Sequence, residues 1–438
     1  MTSVLVAKST LSGETSSHPS KSYTHRDIII AALAKGRSTI INPLVSRDTE
    51  ASRLAAQCLG AMVENGVNSV EVTGTGKVEF LDSLFCAGNS GTTLRIMTAL
   101  AALDSRRIEL YGDKSLNKRP MDHLTSALDA VGAHTKLTKT RRWTGKKYVT
   151  ESTAPVFVEG PVKGREIVIN GSQSSQYVSA LLVAAPLAKS GMDIEIEGGA
   201  VSKPYMDITV TTMKKFGIRF DIEIPHKRYA IQKQDYKPAT VTVPTDYSGM
   251  AFPMAAGILS GRGVTINALE DDLPQGDKEI IGILERLGAK IKTGEGKIEV
   301  HHSKMLEGGE FDLSSTPDLV IPVGILGVIS KKPLTISNVA HARRKETDRI
   351  KALALELRKV GMRTDQFYDG LTIERYNGIH GAVLESYDDH RMFMGMTVVG
   401  MYAGNTQVNG MESVNVSFPG FVKEMQKLGA NIKVLARG

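Results

Sequence analysis

Cysteine is nearly absent from this chain: Cys58 and Cys86 are the two among 438 residues. So few exclude a disulfide framework and suit a reducing compartment. Aromatic residues are scarce as well, at 5% with a single tryptophan. That argues against a stacking platform for single-stranded nucleic acid. No run of about 18 apolar residues occurs, so no membrane span is expected. The opening MTSVLVAKST has too short an apolar run for a secretory signal, and the expected location is cytoplasmic. Several chemical signatures are missing too. GTGK at 74–77 lacks the spacing and the Ser/Thr of a phosphate-cradling loop. There is no Gly-x-Ser-x-Gly elbow. His301 and His302 stand together in a polar stretch without the cysteine or carboxylate spacing of a metal site.

What is present is a globular composition, 41% apolar and 23% charged. The length exceeds one ordinary core, so two domains are expected. The net charge is +7 and the pI about 9.1, which favours anionic partners, polymeric or small.

One phrase recurs along the chain: a helix, a glycine, then a short strand. It reads QCLGAMV, LDAVGAHT, MKKFGIRF, LERLGAKI, LRKVGMRT and MQKLGANI, with glycines at 60, 132, 217, 288, 361 and 429. Successive gaps between those positions are 72, 85, 71, 73 and 68 residues. Such joints are common in α/β proteins, so the near-constant period carries the inference of one copied unit. Glycine after the helix supplies a left-handed C-cap. Apolar periodicity predicts helices over about 22–35, 48–64, 91–103, 118–131, 174–188, 205–216, 247–259, 277–287, 318–329, 346–360, 389–402 and 420–428. Twelve helices over six units suggest three units per domain. The proline- and charge-rich stretch 225–244 reads as a crossing between halves. The basic stretch KLTKTRRWTGKKY at 136–148 reads as an exposed, solvated hairpin, with polyanion binding as the alternative.

Several predicted helix starts carry cations that the helix dipole disfavours. Ile350, Leu353, Ala354 and Leu357 form an apolar stripe after RRKETDR at 343–349. A helix from 346 onward would set Lys345 and Arg349 one turn apart, at a cost of roughly 0.2–0.5 kcal/mol. PSKSYTHR holds Lys21, Ser22 and Arg26; NKRPMDHL holds Arg119 just before Pro120, a favoured first helical residue; DDHRMFM offers Asp388 or Asp389 as N-cap, followed by His390 and Arg391. Two further starts are small and polar: CAGNSGTTLR with Gly88 and Gly91, and GSQSSQYVSALL with Ser174, Ser175 and Gln176. Any one of these is unremarkable. Together, free N–H groups, hydroxyls and guanidinium groups at helix ends point to phosphate and carboxylate ligands. Asp318, after Pro317, could cap its helix or act as an acid; Glu346 could be only an ion-pair partner.

In this order, PSKSYTHR, GNSGTTLR, KRPM, SSQYVSALL, SKPYMDIT, TPDL, RRKETDRI and YDDHRM resemble the 5-enolpyruvylshikimate-3-phosphate synthase family of enolpyruvyl transferases, almost end to end. Each motif alone is weak, and the ordered set is specific. The resemblance implies an α/β (α+β) fold of two similar domains. Each would hold three βαβαββ units in an inside-out barrel-like arrangement, with the active site in the inter-domain cleft. The domains would be 1–20 plus 245–438, and 21–244. The implied reaction moves the enolpyruvyl group of phosphoenolpyruvate to the 5-hydroxyl of shikimate 3-phosphate through a tetrahedral intermediate, releasing phosphate. Carried over by motif, shikimate 3-phosphate would meet Lys21, Ser22, Arg26, Ser174, Ser175, Gln176, Ser202, Asp318, His341 and Lys345. Phosphoenolpyruvate would meet Lys21, Gly91, Arg119, Gln176, Arg349 and Arg391. Asp318 would serve as hydroxyl-side base and Glu346 as proton donor to the methylene, with Lys21 and His390 in the catalytic set. No metal or organic cofactor, no nucleic acid and no membrane are implied, and a monomer is expected.

Three positions depart from the family pattern. Ile96 stands where many members have proline, His341 where some have asparagine, and Val416 where some have lysine. Restoring Lys at 416 is expected to tighten phosphoenolpyruvate binding. A related transferase acting on UDP-N-acetylglucosamine is the near rival, but it usually has a cysteine in a mobile loop, and Cys86 lies in another context. A catalytically silent polyanion-binding repeat protein is the rival of another class. It would bind nucleic acid with steep salt dependence and release no phosphate.

Overall fold

In the computed structural model, which describes residues 2–143, 148–267 and 273–435, all six glycines of the recurring joint have left-handed backbone. Their φ angles are +81° at Gly60, +100° at Gly132, +84° at Gly217, +78° at Gly288, +94° at Gly361 and +103° at Gly429. Only glycine takes that conformation at no steric cost, so each helix stops there and the chain turns into a strand.

The strands form six four-stranded sheets, all on one plan. Leu84–Cys86 leads into helix Gly91–Ala101, then Arg107–Tyr111, helix Asp122–Ala130, and the hairpin His134–Trp143 with Tyr148–Glu159. The first two strands pair in parallel, Phe85 opposite Leu110. The hairpin then adds two antiparallel strands, with Ile108 opposite Val158 and Lys136 opposite Phe157. A parallel pair needs a crossover, normally helical, and this βαβαββ order supplies one. The same order of one parallel and two antiparallel pairings holds in the other five sheets. Among the described residues no sheet closes into a barrel. The basic stretch 136–148 lies in the hairpin, and its residues 144–147 fall outside the described ones.

The chain packs as two units. A central unit comprises Pro19–Pro244 and Leu273–Gln275; a terminal unit comprises Met1–His18, Thr245–Asp272 and Gly276–Gly438. Each has its own apolar core and three of the sheets. The copies are rotated along the chain. In the central unit Thr240–Thr242 returns to pair with Lys35–Ile41. In the terminal unit Leu11–Ser16 pairs with Gly261–Asn267, and Ser3–Val6 sits between Thr406–Asn409 and Ile432–Leu435.

Every copy has an inner and an outer helix. The inner ones start at Lys21, Gly91, Ser175, Tyr247, Val320 and His390 and are buried nearly all round; in Tyr247–Ser260, everything from Ser248 onward is buried. A helix apolar on all sides belongs inside a core. Outer helices such as Arg349–Lys359 bury one face only. Three expected helix boundaries are corrected. The helix expected over 48–64 ends at Cys58, because Gly60 stops it and Met62–Gly66 is a strand. The one expected over 118–131 starts at Asp122, so Pro120 precedes it. The one expected over 346–360 starts at Arg349 behind the N-cap Asp348, leaving Lys345 in extended backbone. Residues 317–329 are a short α-helix between two 3-10 turns, with Pro322 removing an internal donor.

Candidate active site

The predicted residues gather at helix starts. Lys21, Ser22, Gly91, Ser175, Gln176, His390 and Arg391 occupy the first positions of inner helices, and Asp318 lies in the turn before Val320–Gly324. Arg119 and Ser202 stand just ahead of outer helices, as do His341, Lys345 and Glu346. Each unit therefore holds its own set.

In the terminal unit the set centres on Asp318. Its Oδ1 accepts from Arg349 Nη1 at 2.8 Å and lies 3.6 Å from Lys345 Nζ; its Oδ2 accepts from Arg391 Nη2 at 2.9 Å. Asp318 is thus shared by three cations. Arg349 is 1% exposed and also donates from Nε to Asp389 Oδ2 at 2.8 Å and from Nη2 to Glu346 Oε2 at 2.7 Å. This is why cations are tolerated at a helix start: carboxylates surround them. Asp389 is the N-cap, its Oδ1 accepting from the Arg391 backbone N–H at 2.8 Å. His390 is buried in the first turn, its Nδ1 4.0 Å from Asp389 Oδ1. Arg349 stays firmly charged: the charges of Asp389, Glu346 and Asp318 outweigh its burial. Burial pushes the Lys345 ammonium down, against the opposing pull of Asp318. Burial and the Lys345 charge push His341 down to about 4, so it presents a neutral imidazole near pH 7.

A residue that sequence reasoning missed is Asp277. Ser248 Oγ donates to its Oδ2, and Arg391 Nη1 donates to the Ser248 carbonyl at 3.3 Å. Burial and the Asp318 charge push Asp277 up to about 6.

In the central unit the set centres on Gly91. A Cβ there would lie 2.3 Å from Arg95 Nη1, 3.2 Å from Gln176 Oε1 and 3.3 Å from Arg119 Nη1. Glycine therefore lets two guanidinium groups and an amide close on the helix start. Arg95 Nη1 donates to Gln176 Oε1 at 2.7 Å, Gln176 Nε2 to Thr92 Oγ1 at 3.2 Å, and Arg119 Nη2 to Asn89 Oδ1 at 3.1 Å. Ser174 is the N-cap of its helix, its Oγ accepting from the Gln176 N–H. Ser202 is buried with φ +51°. Lys21 Nζ donates to Asp48 Oδ2 at 3.0 Å.

Arg26, expected beside Ser22 in the shikimate 3-phosphate set, bonds to several protein groups. It is 1% exposed and donates to Thr209 Oγ1, the Ser22 carbonyl, Ser179 Oγ and the Tyr205 carbonyl. Burial pushes it down to about 10, still charged near neutrality. It ties helix Lys21–Leu33 to two neighbours, and it reaches the candidate set through Ser22. A second buried chain runs from His25 Nδ1 to Ser52 Oγ at 2.7 Å, then Thr93 Oγ1 at 2.8 Å and Ser90 Oγ at 2.8 Å. It links the helices that start at Lys21 and Gly91. Arg95 was legible in GNSGTTLR, one turn beyond Gly91 on the same face; Asp48 and Ser52 carried no local signal.

Among the described residues no group of three His, Cys, Asp or Glu side chains is arranged to hold a metal ion. No helix there is long and apolar enough to cross a membrane.

The chain matches the model of the family described as EPSP synthase (3-phosphoshikimate 1-carboxyvinyltransferase) over residues 6–425. A 3-phosphoshikimate 1-carboxyvinyltransferase of Nitrosopumilus maritimus is 42% identical over 428 residues, 98% of this chain and 99% of that protein. One from Methanosarcina mazei is 40% identical over 434 residues, covering 98% of each. Among solved structures, EPSP synthase from Acinetobacter baumannii superposes over the whole of both chains with a TM-score of 0.79 at 24% identity. The enolpyruvyl transferase NikO from Streptomyces tendae does so with a TM-score of 0.79 at 18% identity, over 100% of this chain and 99% of that one. At those identities the two structures speak for the fold.

Proposed function

Since this chain belongs to the EPSP synthase (3-phosphoshikimate 1-carboxyvinyltransferase) family, we propose that the two sets of helix-start residues divide the work of enolpyruvyl transfer from phosphoenolpyruvate to shikimate 3-phosphate. That transfer is the activity of the chain, a step of the shikimate pathway towards chorismate and the aromatic amino acids. The observation that carries the division is the Asp318 carboxylate shared by Lys345, Arg349 and Arg391.

In this reading Asp318 takes the proton of the 5-hydroxyl as its oxygen bonds to C2 of phosphoenolpyruvate. A proton reaches the methylene carbon from Glu346, with Lys21 assisting. The product of this addition is the tetrahedral intermediate. Elimination then breaks the C2–O bond to phosphate, and a methyl proton returns. General acid–base help of this kind contributes about 10²–10⁴-fold. Lys21, Gly91, Arg119, Gln176, Arg349 and Arg391 hold phosphoenolpyruvate, and cations fixed beforehand stabilise a strongly anionic transition state. Lys21, Ser22, Ser174, Ser175, Gln176, Ser202, Asp318 and Lys345 hold shikimate 3-phosphate, with neutral His341 as a hydrogen-bond partner. Arg26, bonded to the Ser22 carbonyl, joins the shikimate 3-phosphate set, and His390, beside Asp389, joins the catalytic one. No cofactor takes part, and the protein works as a cytoplasmic monomer, which light scattering in the presence of both substrates checks.

Phosphate release from phosphoenolpyruvate, with and without shikimate 3-phosphate, tests the reading. Release is expected only with both. Release with UDP-N-acetylglucosamine in place of shikimate 3-phosphate, or no release from folded protein, overturns it.

A further inference from the structure

Helix Arg349–Lys359 holds the segment 385–391 at two points. At its first residue, Arg349 Nε donates to Asp389 Oδ2 at 2.8 Å. Seven residues on, and so on the same face, stands Glu356, which is 0% exposed. Its Oε1 accepts from the Tyr387 hydroxyl at 2.5 Å, and its Oε2 accepts from the Glu385 backbone N–H at 2.9 Å and from Lys359 Nζ at 2.8 Å. Between the two holds lie Tyr387 with φ +54° and Asp388 with φ +56°. Two successive non-glycine residues in the left-handed region persist only where their surroundings enforce them. The next residue is Asp389, which both caps the helix carrying Arg391 and binds Arg349.

We propose that Glu356 and Tyr387 form a latch that holds the Tyr387–Asp388 turn in its strained shape and so positions Asp389, Arg349 and Arg391. The inference deepens the reading of Arg349 and Arg391 as phosphoenolpyruvate cations and rests on it. A simple charge partner for Lys359 would not need to be buried, because that ammonium is on a side chain 40% exposed. What requires a carboxylate at 356 is the convergence of a phenol, a backbone N–H and an ammonium on its two oxygens. A glutamine offers one acceptor oxygen and cannot receive all three. Burial and the Glu356 charge push the Tyr387 phenol well up, so it remains a donor at every working pH. Glu356 and Tyr387 are positioning residues; neither is placed in contact with substrate.

The test is Tyr387→Phe, which removes the hydroxyl and keeps the ring. The KM for phosphoenolpyruvate is expected to rise about tenfold and kcat to fall several-fold, since small misplacements of reacting groups have effects of this size. The KM for shikimate 3-phosphate should stay within about twofold, and backbone amides 389–393 should exchange faster. Asp388→Gly added to Tyr387→Phe should restore much of the loss, because glycine adopts φ near +56° without a latch; a role confined to general stability would not be rescued there. Unchanged kinetics in folded Tyr387→Phe, or failure of the glycine to rescue, overturns the proposal. If Tyr387→Phe does not fold, Glu356→Gln is read by the same criteria, and failure of both to fold overturns positioning in favour of a structural role. Arg391→Lys runs alongside: if its KM for phosphoenolpyruvate is unchanged, the reading of that cation fails, while amide exchange in Tyr387→Phe still reports on the latch.

Discussion

The two units build their cation sites from one supersecondary plan but hold the cations in different ways. In the terminal unit Arg349 and Arg391 are held by carboxylates, those of Asp318, Glu346 and Asp389. In the central unit Arg95 donates to the Gln176 amide and the Pro120 carbonyl, Arg119 to the Asn89 amide, and Arg26 to hydroxyl and carbonyl oxygens. Lys21 there is paired with Asp48. A guanidinium held by a carboxylate must share its charge, but the carboxylate can also exchange a proton.

The sharpest way to break that contrast is Asp318→Ala. Turnover should fall by about 10²–10⁴-fold in a protein that still folds, since the side chain is partly exposed at 16% and no core is emptied. Phosphoenolpyruvate binding, followed by calorimetry, should hold or tighten, because three cations lose their shared anion. Weaker binding would mean that Asp318 holds the cations in place more than it competes for them.

Gly91→Ala probes the other side. The new methyl would stand 2.3 Å from Arg95 Nη1, which forces the guanidinium away and crowds Arg119 and Gln176. Steady-state kinetics should show the KM for phosphoenolpyruvate raised by about 10–100-fold, with shikimate 3-phosphate less affected. Equal effects on both substrates would blur the assignment of that helix start.

Val416→Lys should matter less to catalysis. The sequence suggests a gain in affinity, but Val416 is 7% exposed at the end of a 3-10 turn. A lysine there must displace packed neighbours or bury charge. The expected outcome is a loss of about 1–3 kcal/mol in stability and a change in the KM for phosphoenolpyruvate of less than about threefold, read by denaturation and kinetics.

Asp27→Asn should leave turnover nearly unchanged and alter stability against pH. Asp27 is 2% exposed, its Oδ1 lacks a hydrogen-bond partner, and burial pushes it up to about 7 despite Lys215 and Arg26. An acid raised in the folded state favours folding while protonated. That contribution is full below about pH 4, the unfolded value, and is lost as pH rises through about 7. The loss is on the order of a few kcal/mol. Melting temperatures from pH 4 to 8 should fall for the parent and fall less for the variant.

Much of the fold was legible because period and glycine act locally: six joints, each needing one left-handed residue, announce six copies. The helix starts were legible to within a few residues, and errors came where a neighbour intervened. The stripe from Ile350 to Leu357 did not show that Asp348 would cap the helix and leave Lys345 outside it. Partners across the fold left no local trace. Asp389 read as an N-cap and gave no hint of holding Arg349. Glu356 carried no local signal, and only the tertiary contact with Tyr387 shows its place in the fold. The motif around Arg26 gave no hint of its bonds to Thr209 and Ser179, from elements about 150 residues and more away.

The placement of strand Ser3–Val6 bears on the order in which the protein is made. Ser3 pairs with Asn409 and with Leu435, so this strand leaves the ribosome long before either neighbour exists. At about 5–20 residues per second the wait is roughly 20–80 s. During that time the whole of Pro19–Pro244 is synthesised and can condense around its own core, because its closing strand Thr240–Thr242 is already present. Strand Leu11–Ser16 is relieved sooner, once Gly261–Asn267 arrives. Strand Ser3–Val6 is thus among the last to be paired.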